Sequence, residues 1–274
     1  MKIIDGFIFY NELNMLEYRL SILDDVVDTF ILVESTHTFA GNKKPLFFED
    51  NKGRYAKWAH KIIHIVVDDF LYVAPAIDYS KNQQWENEYY QRNCIARGFE
   101  RLNLGPQDVV MVSDLDEIPD PDLLKKVRSD QVQITCYAMG QVYHCYNLNT
   151  RSPVEWTLAR IFAYRNYSGS CQAMRDTPYP VAHQAGWHLS YFGDASFIQN
   201  KILEFSHQEL NTAEYTDLNY IQTKLDSSMN LYGREGLGIA YHNLKVAIED
   251  NPYLPPKYQT YLAAFYKLRT AASP

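Results

Sequence analysis

Four consecutive apolar residues, Val109-Val110-Met111-Val112, end abruptly in Ser113-Asp114-Leu115-Asp116-Glu117. An apolar run without alternation, rich in β-branched residues, fits a strand buried on both faces of a parallel sheet. Side chains alternate along a strand, so Asp114 and Asp116 project to one side while Leu115 points back into protein. Open α/β sheets bind ligands at the carboxyl ends of their strands. Carboxylates placed there suit Mg2+ or Mn2+, and those ions in turn suit a diphosphate. Capping of the next helix is the structural alternative, but Asp120 before Pro121 already supplies that cap.

The flanking sequence supports such a sheet. Residues 3–9 and 61–67 read as strands, as does the stretch Asp28 to Glu34. Leu16, Leu20 and Leu23 mark one face of a helix between the first two strands. Gln83 to Leu104 reads as a long helix whose apolar stripe contains Arg92, where a solvated charge is not expected. This strand–helix alternation argues for a parallel or mixed sheet with helices on its faces. Beyond residue 130 the pattern changes. Val132 to Leu148, Trp156 to Tyr164 and His183 to Phe192 read as strands of a second, antiparallel part, and 195–206 and 213–227 as helices. The expected organisation is one domain over 1–230, in two halves (1–130 and 131–230). A helical C-terminal extension over 231–274 packs on it.

Several function classes are disfavoured. There is no GxGxxG after a strand, no GxxxxGK[ST] loop and no GxSxG elbow, so any phosphate must be held by a metal and side chains. The net charge of -7, with no Lys/Arg-rich run, disfavours a nucleic-acid partner. Cys94, Cys136, Cys145 and Cys171 show no metal-like spacing and read as reduced thiols. Asp5 comes too early for a signal-peptide apolar region, and no stretch approaches a membrane span. A soluble, cytoplasmic protein is expected, unless the chain is a trimmed form.

Candidate site residues follow from position. Asn11, Glu12 and Glu34 lie just past the first two strands, on the same rim as Asp114, where they could bond a uracil edge or ribose hydroxyls. Turn chemistry is the alternative for Asn11. Arg92 either faces the nucleotide or pairs with a carboxylate such as Asp114. His188 alternates with Trp187, Leu189 and Tyr191; it and His207 are each candidates for a third metal ligand. Asp194 is an N-cap or a general base. The 22 tyrosines suit sugar rings as well as half-buried strands.

The segments Asp5-Gly6-Phe7-Ile8-Phe9-Tyr10-Asn11-Glu12-Leu13 and Leu16-Glu17-Tyr18-Arg19-Leu20 resemble the opening of glycosyltransferase family 17. So do Val33-Glu34-Ser35-Thr36-His37-Thr38-Phe39 with Gly41, the Ser113–Pro119 run, and Gly186-Trp187-His188. The likeness extends from about Asp5 to His207. It implies a GT-A-type fold with a nucleotide-sugar-binding half over 1–130 and an acceptor-binding half over 131–230, a nucleotide-sugar donor (UDP-N-acetylglucosamine in the known enzyme), divalent-metal dependence and inversion at the anomeric carbon. By that resemblance Asp114 and Asp116 look like the DxD pair that holds metal and diphosphate, with His188 or His207 in the C-terminal histidine position. The resemblance does not place the base, for which Asp194 and Glu155 are candidates. The Golgi enzymes of the family are longer and carry a membrane anchor, so this chain looks like a bacterial or viral member.

The expected function is therefore a metal-dependent inverting glycosyltransferase moving a sugar from a UDP donor to a glycan, with Trp187 and Tyr191 stacking on the acceptor. Two rivals use the same features: a metal-dependent phosphatase or nucleotidyltransferase, and a non-catalytic carbohydrate-binding protein whose acidic cluster holds Ca2+.

Overall fold

The structure, a computed structural model, describes residues 1–233 and 243–268. The remainder of the expected C-terminal extension, 234–242 and 269–274, lies outside the described residues.

The chain opens with β1 (Ile3–Phe9), α1 (Leu13–Leu23), β2 (Thr29–Ser35), α2 (Phe47–Asn51) and β3 (Ile62–Val67). Then come α3 (Gln83–Asn93), α4 (Ala96–Phe99), β4 (Val109–Asp114), the short β5 (Glu117–Pro119) and α5 (Pro121–Arg128). They are followed by β6 (Cys136–Cys145), β7 (Thr150–Arg151), β8 (Arg160–Ala163), α6 (Cys171–Asp176) and β9 (Val181–Ser190). The chain continues through α7 (Ala195–Glu204), α8 (Leu218–Ser227), β10 (Leu244–Lys245) and α9 (Tyr258–Tyr261).

Among the described residues one sheet of eight strands runs in the order β3-β2-β1-β4-β8-β6-β9-β5. Its β3-β2-β1-β4 half is wholly parallel, and β8 adds antiparallel to the free edge of β4. Of the strands after residue 130, β6, β8 and β9 therefore extend the first sheet, where β6 and β9 are themselves parallel, and among the described residues the separate antiparallel part is reduced to the short pair β7–β10. The α/β class, with a mixed, mostly parallel sheet flanked by helices, agrees with the sequence reading.

Burial on both faces explains the unalternated strands. In β4, Val109 and Met111 join one apolar cluster with Leu16, Leu20 and Leu23 of α1, while Val110 and Val112 join another with Ile95 and Phe99. The C-terminal segment contributes Ile248 and Leu262 to the first cluster. The long helix expected over Gln83 to Leu104 tightens after Asn93. Ile95, Arg97 and Gly98 bond to carbonyls three residues back, and a Cβ on Gly98 would lie 2.5 Å from Ile31. That close approach to β2 divides the helix. Residues 213–217 precede α8, which Asp217 caps by accepting from the Tyr220 N–H. No helix among the described residues is long and apolar enough to cross a membrane.

Candidate functional site

The acidic run after β4 is shaped from beneath. Arg19 of α1 is fully buried and pairs with Asp5 of β1 through two bonds of 2.9 and 2.7 Å. Its remaining donors reach the carbonyls of Asp114, Leu115 and Glu117 at 2.9, 2.9 and 3.0 Å, and the Ser113 hydroxyl at 2.6 Å. The turn backbone is thus wound around one guanidinium. Leu115 packs into the core, while Asp114 and Asp116 border a cavity of about 420 Å³.

Each carboxylate has a defined partner. Asp114 accepts from Arg92 of α3 at 2.9 Å through one oxygen and from Arg175 of α6 at 2.8 Å through the other. Burial opposes its charge, but Arg175 and then Arg92 hold its carboxyl below the usual carboxylate range. Arg175 also forks onto the buried Glu117 with two bonds of 2.8 Å. Glu117 receives the Trp156 indole N–H at 2.6 Å and the Asp114 N–H at 2.8 Å. Arg92 also binds Glu88 at 2.7 Å and the Gln172 side chain.

Asp116 lies apart from the arginines. Lys201 of α7 donates to its Oδ2 at 3.1 Å and approaches Glu12 Oε1 at 3.7 Å, with the Tyr191 ring 5.4 Å from the ammonium. Burial again favours the neutral acid, yet Lys201 and then His188 keep Asp116 ionised well below the usual range. Lys201 is raised in turn, because Asp116 and Glu12 outweigh its own desolvation. On the other side His188 Nε2 faces Asp116 Oδ1 at 3.6 Å. The His188 ring is wedged between Tyr143 and Trp156, centroids 4.9 and 4.6 Å away, and its Nδ1 is buried without a hydrogen-bond partner.

A second cavity, of about 1230 Å³, adjoins the first. Glu12, Asp116, Tyr146, Tyr191 and Lys201 border both. Asp116 therefore sits where the two cavities meet.

These donors match a divalent cation only in part. Among the described residues no three His, Cys, Asp or Glu side chains converge as a metal site. Asp116 and His188, however, offer one carboxylate oxygen and one imidazole nitrogen aimed at each other beyond hydrogen-bond distance. That pair fits an ion held jointly by a few protein ligands, water and a bound diphosphate. Asp114 does not belong to the pair, since arginines take both its oxygens. Neither does His207, which pairs with Glu209 at 2.6 Å and meets the Trp85 ring edge-on at 4.5 Å.

Other expected site residues are placed differently. Glu34 is fully buried and serves the fold, accepting from the Phe48 N–H at 3.0 Å and meeting His64 at 3.1 Å. Asn11 bonds Asn200 at 3.2 Å on the wall of the second cavity. Trp187 lies in the core, stacked on Tyr253 at 4.7 Å, and cannot meet an acceptor. Strand alternation decides this: with His188 facing Asp116, Trp187 must face away. Tyr191 escapes that alternation because β9 ends at Ser190 and Tyr191 turns to φ +58°. Asp194 caps α7, accepting from the Phe197 N–H at 2.8 Å, and lines only the second cavity. Glu155 borders neither cavity; it binds His183 at 2.6 Å and the Gln184 N–H at 2.8 Å. Glu12, Arg92, Asp114, Asp116 and His188 do come together around the first cavity. Arg175, Lys201, Tyr143 and Trp156 also border it, and Arg19 underlies it; the sequence reading assigned none of them a role there.

The chain is 24% identical to the β-1,4-mannosyl-glycoprotein 4-β-N-acetylglucosaminyltransferases of Rattus norvegicus and Homo sapiens, over 93% of its own length. It spans 56% of the length of those relatives. A solved mannosyltransferase from Pyrobaculum calidifontis, in complex with GDP-Man and Mn2+, aligns at a TM-score of 0.38 and 10% identity, covering 82% of this chain and 69% of that one. The description of glycosyltransferase family 17 matches residues 1–248, and the chain belongs to that family.

Proposed function

We propose that the chain is an inverting, metal-dependent glycosyltransferase that moves a sugar, N-acetylglucosamine in the first instance, from a UDP donor to a glycan hydroxyl. The observation that carries this reading is Asp116, an ionised carboxylate at the meeting of two cavities, paired with His188 and backed by Lys201. Family membership and the activity for which the relatives are named support the substrate class.

Electrostatics support the need for a cation. The first cavity is bordered by six carboxylates, Glu12, Glu88, Asp114, Asp116, Asp176 and Glu204, against four Lys and Arg side chains, Lys44, Arg92, Arg175 and Lys201. The surplus of two negative charges would repel a diphosphate. A divalent ion on Asp116 and His188 would remove that surplus and stabilise charge on the departing diphosphate. Lys201 and the arginines fix the carboxylates in place, so little reorganisation is needed as charge develops.

In the transfer, the acceptor oxygen bonds the anomeric carbon as the bond to the diphosphate breaks and its electron pair leaves with UDP. Asp194 and Glu155 are poorly placed as base. Glu12 borders both cavities and is held by no arginine, so we assign it the acceptor's proton. Four unpaired thiols suit the reducing cytoplasm, where we place the protein.

The test is UDP release from UDP-N-acetylglucosamine, with Asp116→Asn and Glu12→Gln as variants. Asp116→Asn is expected to lower kcat at least about a thousandfold and to abolish the thermal shift given by UDP with Mn2+. Glu12→Gln is expected to lower kcat by about 10²–10⁴ while keeping that shift. Release of monophosphate, or turnover by Asp116→Asn within threefold of the parent, would overturn the reading.

A further inference from the structure

The second cavity exceeds the roughly 300–1,000 Å³ typical of small-molecule pockets. One wall is shared with the first cavity through Glu12, Asp116, Tyr191 and Lys201. Another part of its lining is the C-terminal segment, where Tyr261, Ala264, Phe265 and Lys267 border the space. That segment lies beyond residue 248, at which the family match ends.

This segment is a fastened part of the fold. The Phe265 ring packs on Phe192 at 5.1 Å, and the Phe265 carbonyl accepts from the Leu148 N–H at 2.8 Å. Asn149 clamps the backbone of Lys267 from both sides, accepting at 2.6 Å and donating at 2.9 Å. Tyr261 accepts from Ser21 at 2.8 Å. Around these rings the lining offers carboxamides from Asn11, Asn14 and Asn147. The charged lining is balanced, Arg54, Lys201, Lys245 and Lys267 against Glu12, Asp116, Asp194 and Asp226, so flat apolar faces beside amide donors and acceptors match a neutral ligand made of hydroxyl-bearing rings.

We propose that this cavity receives the acceptor oligosaccharide, and that the C-terminal segment around 261–267 selects it. The assignment rests on the transferase reading above. It places the attacking hydroxyl at Glu12 and Asp116, with the rest of the glycan extending toward Phe265 and Lys267. Acceptor choice is then set by chain outside the region that identifies the family, while donor handling is set within it.

Ala264→Trp tests this by filling the cavity from an exposed position, and Lys267→Glu by changing charge at its rim. Three quantities are measured for each variant: UDP affinity by calorimetry, UDP release with water as acceptor, and acceptor KM. Acceptors come from a panel of neutral oligosaccharides that includes a β-1,4-mannosyl one, with saturation-transfer NMR reporting contact. At unchanged Tm, acceptor KM is expected to rise at least tenfold while UDP affinity and hydrolysis stay within twofold. An acceptor KM within twofold of the parent in both variants overturns the proposal. Equal loss of UDP affinity in both variants, or no oligosaccharide contacting the parent chain, also overturns it. A parent chain that neither binds UDP nor releases it would instead sink the transferase reading, and this assignment with it.

Discussion

Arg19 shapes a site that it does not line. Its guanidinium is fully buried, and its bonds neutralise Asp5, hold the backbone of the Asp114–Glu117 turn and reach the Ser113 hydroxyl just before it. Removing it leaves a buried carboxylate unpaired and three carbonyls without a donor, and breaking such a pair typically costs about 3–5 kcal/mol. Arg19→Met should therefore lower the unfolding free energy by about that amount in urea titrations. Asp5→Asn in the same chain should restore part of the loss, because the stranded charge is gone. A loss under about 1 kcal/mol would show that the turn holds its shape without the guanidinium. The sequence already carried the sign of this role. Arg19 falls beside Leu16, Leu20 and Leu23 just as Arg92 falls in the stripe of α3, but only Arg92 was recognised as a charge in an apolar setting.

Among the elements, the pairing of β5 with β9 delivers His188 to Asp116. In register, Glu117 lies opposite His188 and Pro119 opposite Gly186. A Cβ on Gly186 would stand 2.1 Å from the Ile118 carbonyl oxygen, and the residue adopts φ +147°, so only glycine permits this approach. Gly186→Ala is expected to cost more than about 2 kcal/mol of stability and to weaken UDP binding in Mn2+. Gly53→Ala, which meets nothing within 4 Å, serves as the neutral control. Equal stability of the two variants would show that the strand pair yields freely. The same pairing explains what could and could not be read beforehand. Strands β1, β2 and β4 were legible because nearly every side chain in them is buried, which leaves an apolar run with a polar end. Helix α6 spans only Cys171–Asp176, too short to display a period, so Arg175 gave no signal. Lys201 meets Asp116 across 85 residues of sequence, a separation that no local pattern encodes. Trp187 falls on the face opposite His188, as the alternation predicts, but that face packs into the core against Tyr253 and is closed to an acceptor.

Over the whole molecule, the eight strands form one continuous sheet whose central neighbours, β4 and β8, come from opposite sides of residue 130. Apolar clusters on both faces draw on both halves of the chain. Such a body should unfold as one cooperative unit, so a buried titrating group anywhere in it registers on the single transition. His144 in β6 is the clearest such group. Burial is the chief cause lowering its pKa from 6.5 to about 4, against a bond to the Thr150 carbonyl that favours the protonated ring, and its Nε2 has no hydrogen-bond partner. Between those two values the unfolded chain binds the proton and the folded chain does not, so stability falls as pH decreases. The contribution is fully present above pH 6.5 and reaches a loss of about 3 kcal/mol near pH 4. Asp114 and Asp116 act in a different window: their depressed pKa values stabilise the fold above the ordinary carboxylate range and release that contribution only below it. His37 is shifted in the same direction as His144 but is only partly buried. Urea titrations at pH 7, 6, 5 and 4.5 should thus show unfolding free energy declining toward acid, and His144→Phe should flatten most of that slope whatever it does to stability at pH 7. A variant that keeps the full slope would move the acid sensitivity away from β6.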